Sequence, residues 1–240
     1  MSSKKAPRRT AQRIQEAALE LFNRFGEPGV STTLLASELR ISPGNLYYHY
    51  PAKDALINAL FDRHAAALAP LLAGAAAVRC ADDAWAHLQG IARAIWACRF
   101  LYRNLGDLVA RNRYLETGIQ ALLARQDQSA QALVAALAQA GALRIDPAAA
   151  RAVAANLVVL QTSWLCLAYV RDPRHALEPE AGPAAVHDGA LRALALLAPW
   201  FAAAEQPRLG ALLASPDRDG VGHRPEYPRS IALPRAYSAH

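Results

Sequence analysis

An all-helical chain is the fold class this sequence predicts, on three observations. Alanine and leucine dominate its 240 residues, apolar side chains recur at helical intervals along most of the chain, and no run alternates with the period of a strand. Alanine favours helix but fills little volume, so the leucines, branched aliphatics and aromatics must build the core. A chain of this length can bury a sizeable core without disulfides or metals.

The elements follow in order. From Thr10 to Phe25 the residues Ile14, Ala17, Ala18, Leu21, Phe22 and Phe25 form one apolar stripe, and Gly26, Pro28 and Gly29 end the helix. Ser31 offers an N-cap hydroxyl to a short helix reaching about Leu39, with Leu35, Ala36 and Leu39 inward. Ser42-Pro43 is a cap followed by proline at the first helical position, and it opens a third helix that Pro51 stops. Two short helices joined by a tight turn are a helix-turn-helix. Leu46 and Tyr50 point inward on the last of them, which leaves Asn45, Tyr47, Tyr48 and His49 outward as a hydrogen-bonding surface. Further helices are expected at 53–72, 83–103, 105–111, 114–140, 146–171 and 184–204, with Asp146 capping the 146–171 helix, Asp82 or Asp83 capping the 83–103 helix and Pro199 shortening the last. From Gln206 onward, prolines, glycines and scattered charge predict a mobile tail. The expected organisation is therefore a basic arm over 1–9, a helix-turn-helix domain over 10–52, a larger helical domain over 53–205 and a tail over 206–240.

Charge narrows the function. The formal net charge is +6, and all three lysines (Lys4, Lys5, Lys53) lie near the N-terminus, where the first thirteen residues hold basic groups and no acid. Such a segment suits a polyanion such as nucleic acid. Cys80, Cys98 and Cys166 are scattered without metal-ligand spacing and read as small core residues in a reducing cytoplasm. The basic N-terminus has no apolar run behind it and does not read as a signal peptide. Ala152–Val170 carries no charge and is about 28 Å long as a helix, at roughly 1.5 Å per residue. Its Asn156, Gln161, Thr162 and Ser163 favour a buried or interface helix over a membrane span. No GxSxG, P-loop, HExxH or dinucleotide-binding turn is present, so neither an enzyme nor a cofactor is expected, and no metal is expected either.

The segments Val30-Ser31-Thr32-Thr33-Leu34-Leu35-Ala36 and Ile41-Ser42-Pro43-Gly44-Asn45-Leu46-Tyr47-Tyr48-His49-Tyr50-Pro51-Ala52-Lys53 closely resemble the TetR family of bacterial transcriptional regulators. The resemblance spans about residues 10–60. It implies a cytoplasmic homodimer that places a recognition helix in successive major grooves of a palindromic double-stranded DNA operator, with a helical domain behind it for a small, largely apolar or aromatic effector. Carried over by position, Thr32 and Thr33 sit beside a phosphate, and Ser42, Pro43 and Gly44 bring the helix N-terminus to the backbone and base edges. Asn45 and Tyr47 face the groove, Tyr48 and His49 reach phosphate or thymine methyls, and Lys53 binds phosphate. The chemistry fits: helix N-termini favour phosphate, asparagine pairs bidentately with adenine, and lysine releases counterions. Arg8, Arg9 and Arg13 offer a minor-groove arm. Two departures stand out. Arg40 occupies a turn position where the family often has glycine, and Tyr50 replaces a phenylalanine, so its hydroxyl needs a partner. Effector contacts are expected from Trp85, Trp96, Arg99, Tyr102, Tyr114, Gln161 and Trp164, and a four-helix dimer seam from the helices over 146–171 and 184–204. Alternative readings are a helical DNA-binding protein tethered to a membrane by 152–170 and a ligand-insensitive architectural DNA binder.

Overall fold

The computed structural model describes residues 5–214, with side chains from Arg9 onward. The expected arm residues 1–4, the Arg8 side chain and the tail residues 215–240 lie outside the described residues. Among those described, eleven α-helices follow one another without a strand. Three belong to the head: α1 (Lys5–Phe25), α2 (Thr32–Glu38) and α3 (Pro43–His49). The body holds α4 (Lys53–Ala73), α5 (Ala81–Ala97), α6 (Arg99–Arg103), α7 (Leu105–Arg111), α8 (Arg113–Gln139), α9 (Pro147–Arg171), α10 (Gly182–Leu197) and α11 (Gln206–Ala214).

Most ends follow from local chemistry. Asp146 Oδ1 accepts from the amides of Ala148 and Ala149 at 2.9 and 3.0 Å, which starts α9 behind Pro147. The Asn112 side chain accepts from Leu115 N at 3.2 Å and starts α8. α10 ends at Leu197, two residues before Pro199. An isolated antiparallel bridge, Leu143 with Phe201, ties the α8–α9 turn to the chain after α10.

Four expectations are corrected here. The expected 83–103 helix is broken at Cys98, with φ −123° and ψ 39°, because Asn23 of α1 takes both backbone groups at the break. Its Nδ2 donates to Ala97 O at 2.9 Å and its Oδ1 accepts from Phe100 N at 3.1 Å. Residues 206–214, expected within the tail, form α11, which buries Leu209 and Leu212 and pairs Arg208 with Asp82 at 2.5 Å. Asp82 is thus in a salt bridge, and Asp83 accepts from Arg79 N at 3.0 Å. The N-terminal amide of α5 at Ala81 is taken by Glu205 Oε2 at 2.8 Å. Phe25, expected on the buried stripe of α1, is 49% exposed because the helix ends there and turns away.

The apolar interior forms two clusters. The first runs from Ile14, Ala18 and Phe22 of α1 through Leu35 and Leu46 of the head to Leu56, Leu60 and Leu68 of α4, then to Phe100, Leu122 and Leu165. It passes through the 52/53 boundary without interruption. The second fills the far end of the body with Leu88, Leu133, Leu137, Val153, Leu157, Leu194 and Leu197.

Candidate nucleic-acid interface

The head is built to hold α3 outward. Leu46 (1% exposed) and Tyr50 (9%) anchor it to the core of α1 and α2, as the spacing predicts. The Tyr50 hydroxyl finds its partner in Gln15, whose Nε2 donates to it at 2.8 Å. Ser31 Oγ accepts from Leu34 N at 3.1 Å and Ser42 Oγ from Asn45 N at 3.2 Å, so both serines cap as expected.

The turn between α2 and α3 is a Schellman motif. Ile41 N bonds Ala36 O and Arg40 N bonds Ser37 O, each at 3.0 Å. This closure requires a left-handed residue at position 40, and Arg40 adopts φ 54°, the one positive φ outside glycine among the described residues.

The outward face carries the residues singled out in the sequence. Ser42, Pro43, Gly44, Asn45, Tyr47 and Tyr48 are exposed and His49 is half-buried. Tyr48 is 77% exposed and meets the His49 ring edge-on at 5.1 Å. The hydroxyls of Thr32 and Tyr47 share a hydrogen bond at 2.9 Å, which braces α3 against the start of α2, while Thr33 is exposed beside them. A Cβ at Gly44 would meet only Ser42 Oγ, at 4.0 Å, so the space over this glycine is open.

Lys53, expected to bind phosphate, is engaged with Glu27 in the structure. Its Nζ donates to Glu27 O at 2.6 Å and pairs with Glu27 Oε1 at 2.7 Å. Glu27 is 2% exposed, and Arg111 of α7 takes its other oxygen. Lys53 therefore belongs to an ion cluster, centred on the buried Glu27, that joins head to body. Sequence reasoning missed Glu27, Asn23 and Arg111, since no local spacing links them.

The expected effector residues do not form one group. Trp96 and Arg99 lie together, with the guanidinium 4.5 Å from the ring and Arg99 Nε donating to Leu177 O at 2.8 Å. Burial lowers the pKa of Arg99, and nearby Glu178 opposes that shift. Tyr102 is buried and shares a hydrogen bond with His64 Nε2 of α4 at 2.8 Å. Burial raises the Tyr102 pKa and lowers that of His64 to about 4, so the phenol donates and the neutral ring accepts. Gln161 and Trp164 are buried on α9, and Trp85 stands edge-on to His187 at 5.3 Å. Tyr114 is set apart: it is 51% exposed and donates to the Asp62 carboxylate at 2.9 Å, which raises its pKa. An open cleft of about 410 Å³ lies between α1 and the loop before α10, and charged groups of both signs line it, among them Glu20, Arg63, Arg99 and Glu178.

A capped helix-turn-helix that projects polar and aromatic groups from its second helix, joined to a helical body, defines a helix-turn-helix transcriptional regulator. Residues 14–60 match the family described as bacterial regulatory proteins, tetR family, and residues 63–209 match the family described as TetR, bacterial transcriptional repressor. The chain belongs to the TetR family, whose members are transcriptional regulators and not enzymes. Among solved structures, it is similar to a TetR-family transcriptional regulator from Marinobacter aquaeolei, at 25% identity and a TM-score of 0.74, over 85% of this chain and 97% of that one. PfmR of Thermus thermophilus shares the fold at 18% identity and a TM-score of 0.58, over 77% and 97% of the two chains. A transcriptional regulator from Saccharomonospora viridis, solved with choline, shares it at 20% identity and a TM-score of 0.55, over 70% and 88%. Comparison with the curated proteins found no match.

Proposed function

We propose that this protein is a dimeric, ligand-responsive repressor that leaves a palindromic DNA operator when a small-molecule effector binds its body. The observation that carries the reading is the outward face of α3, where Asn45, Tyr47 and Tyr48 are exposed around a capped N-terminus. Asn45 is suited to a bidentate pair with adenine, and the tyrosines to phosphate and thymine methyls. Ser42, Pro43 and Gly44 would bring backbone N–H groups to phosphate, with Thr32, Thr33 and His49 flanking. Lys53 would act mainly by holding the head in place through Glu27.

A second copy is the partner that best suits α9. One face of α9 fills both clusters, while Val159 (62% exposed), Leu167 (43%) and Val170 (69%) form an outward stripe. A membrane tether would have to strip the inner face from the core, whereas a second α9–α10 pair covers the outer face without disturbing the inner one. Two heads then present recognition helices to half-sites one helical turn apart, about 34–36 Å. An effector that favours a different spacing releases the operator. The cytoplasm is the compartment this role requires.

Selection of bound sequences from a random DNA pool tests the reading. A palindromic consensus is expected. Asn45→Ala should blur one base position, at a discrimination cost of about 1–3 kcal/mol, and Tyr48→Ala should weaken binding to all sequences alike. Recovery of sequences with no consensus would favour an architectural binder instead.

A further inference from the structure

The open cleft between α1 and the loop before α10 has one wall in the head and two in the body. The α1 wall carries Glu16 and Glu20, α4 and α6 contribute Arg63 and Arg99, and the loop adds Glu178 and Glu180. Arg24, at the end of the α1 wall, holds its guanidinium over the Phe25 ring at 5.1 Å. Among the described residues no ion pair joins any two of these groups, and the side chains of Glu20, Arg63, Glu178 and Glu180 make no hydrogen bond.

Arg99 is the group whose state calls for a ligand. It is 7% exposed, and its guanidinium lies 4.5 Å from the Trp96 ring. Nε donates to Leu177 O at 2.8 Å and Nη1 to Trp96 O at 3.4 Å, two backbone carbonyls that leave the charge uncompensated. Nη2 has no partner among the described residues and is not sealed from solvent, so its N–H groups open onto the cleft. Buried charges in native proteins are normally paired, yet no carboxylate lies within ion-pairing reach of Arg99, and Glu178 acts on it only from farther off. Held by the loop carbonyl on one side and the indole on the other, the fork is ready for a planar carboxylate. Arg63 reinforces the positive side, since it and Arg99 both act on the Cys98 thiol.

We propose that this cleft binds a free amino acid, whose carboxylate takes the Arg99 fork with Arg63 beside it and whose ammonium is met by Glu20 and Glu178. A simple anion would satisfy Arg99 but face carboxylates on both α1 and the loop. A polyamine would leave Arg99 unpaired and face two guanidinium groups. A zwitterion answers both signs at once. The volume of about 410 Å³ is ample for a molecule of this size, and Leu19 and Pro179 offer apolar surface to its side chain. The site lies at the surface where head meets body, so its occupant spans the two, and its existence does not depend on the operator reading above.

Calorimetric titration of the full chain with each of the common amino acids tests this. At least one should bind. The tightest should lose affinity about tenfold or more when its ammonium is removed, as in the corresponding carboxylic acid, and likewise when its carboxylate is replaced, as in the corresponding amide, because each change removes charge-assisted hydrogen bonds. Arg63→Gln and Glu178→Gln alter side chains outside the buried core and should each weaken binding several-fold while the far-ultraviolet circular dichroism stays helical. Arg99→Lys, which keeps the charge but loses the fork, should weaken it as well. The proposal is overturned if no amino acid binds. It is also overturned if the acid without its ammonium binds as tightly as the parent, which would make this a plain anion site, or if the amide does, which would make it a cation site. Full affinity in either Arg63→Gln or Glu178→Gln would place the binding elsewhere and overturn it too.

Discussion

Arg40 shows how a side chain can be retained at a backbone position that disfavours it. The Schellman closure of α2 needs φ near 54° at this residue, and a β-carbon there costs roughly 1 kcal/mol relative to glycine. Arg40→Gly should therefore raise the Tm by about 2–4 °C in thermal denaturation. An unchanged or lower Tm would mean that the arginine makes a compensating contact in the folded state. The turn strain and both serine caps were legible in the sequence because each partner lies within five residues. The role of Lys53 was not. Its partner Glu27 is 26 positions upstream, and only the fold brings the two together.

At the scale of elements, the break between α5 and α6 was hidden for the same reason. Residues 83–103 have an unbroken helical stripe, and the group that splits them, Asn23, comes from another helix 74 residues before its acceptor Ala97. Asn23→Ala should strand a buried carbonyl and a buried amide, at about 1–3 kcal/mol for each. Urea unfolding would show this as a lower midpoint at unchanged slope. α11 escaped notice because its nine residues sit in sequence rich in proline and glycine, where composition outweighed the spacing of Leu209 and Leu212. The tie between α4 and α6 has a pH signature. His64 titrates at about 4 in the fold against 6.5 ordinarily, so on acidification the unfolded chain takes up the proton first. The associated stability is intact above about pH 6.5 and is lost as the pH falls toward 4. His87 is also depressed by burial and adds to the same slope. His64→Gln should flatten part of the decline while keeping an acceptor for Tyr102, and a denaturation series over this window measures it.

On the scale of the whole molecule, the outward stripe of α9 decides whether one copy is sufficient. Val170→Glu places a charge in the proposed seam, where its twin across the axis would repel it. Sedimentation should show a shift toward monomer, and operator affinity should fall with it, while the far-ultraviolet circular dichroism stays helical. A dimer that persists would move the seam elsewhere. The helical class and the body helices α4, α7, α8, α9 and α10 could be read from apolar spacing and helix-end signals, whereas α11 and the break between α5 and α6 could not. How those helices divide the interior could not, because it depends on which faces meet across elements distant in the chain.

The first cluster makes the interior of the head continuous with that of the body: Ile14, Phe22 and Leu46 belong to one cluster with Leu56, Phe100 and Leu122. Free energy gained anywhere along that shared interior therefore belongs to both ends. A guest molecule lodged deep in the body would make the DNA-reading end harder to melt even while prompting it to let go of the duplex, so resistance to heat and grip on DNA can change in opposite directions.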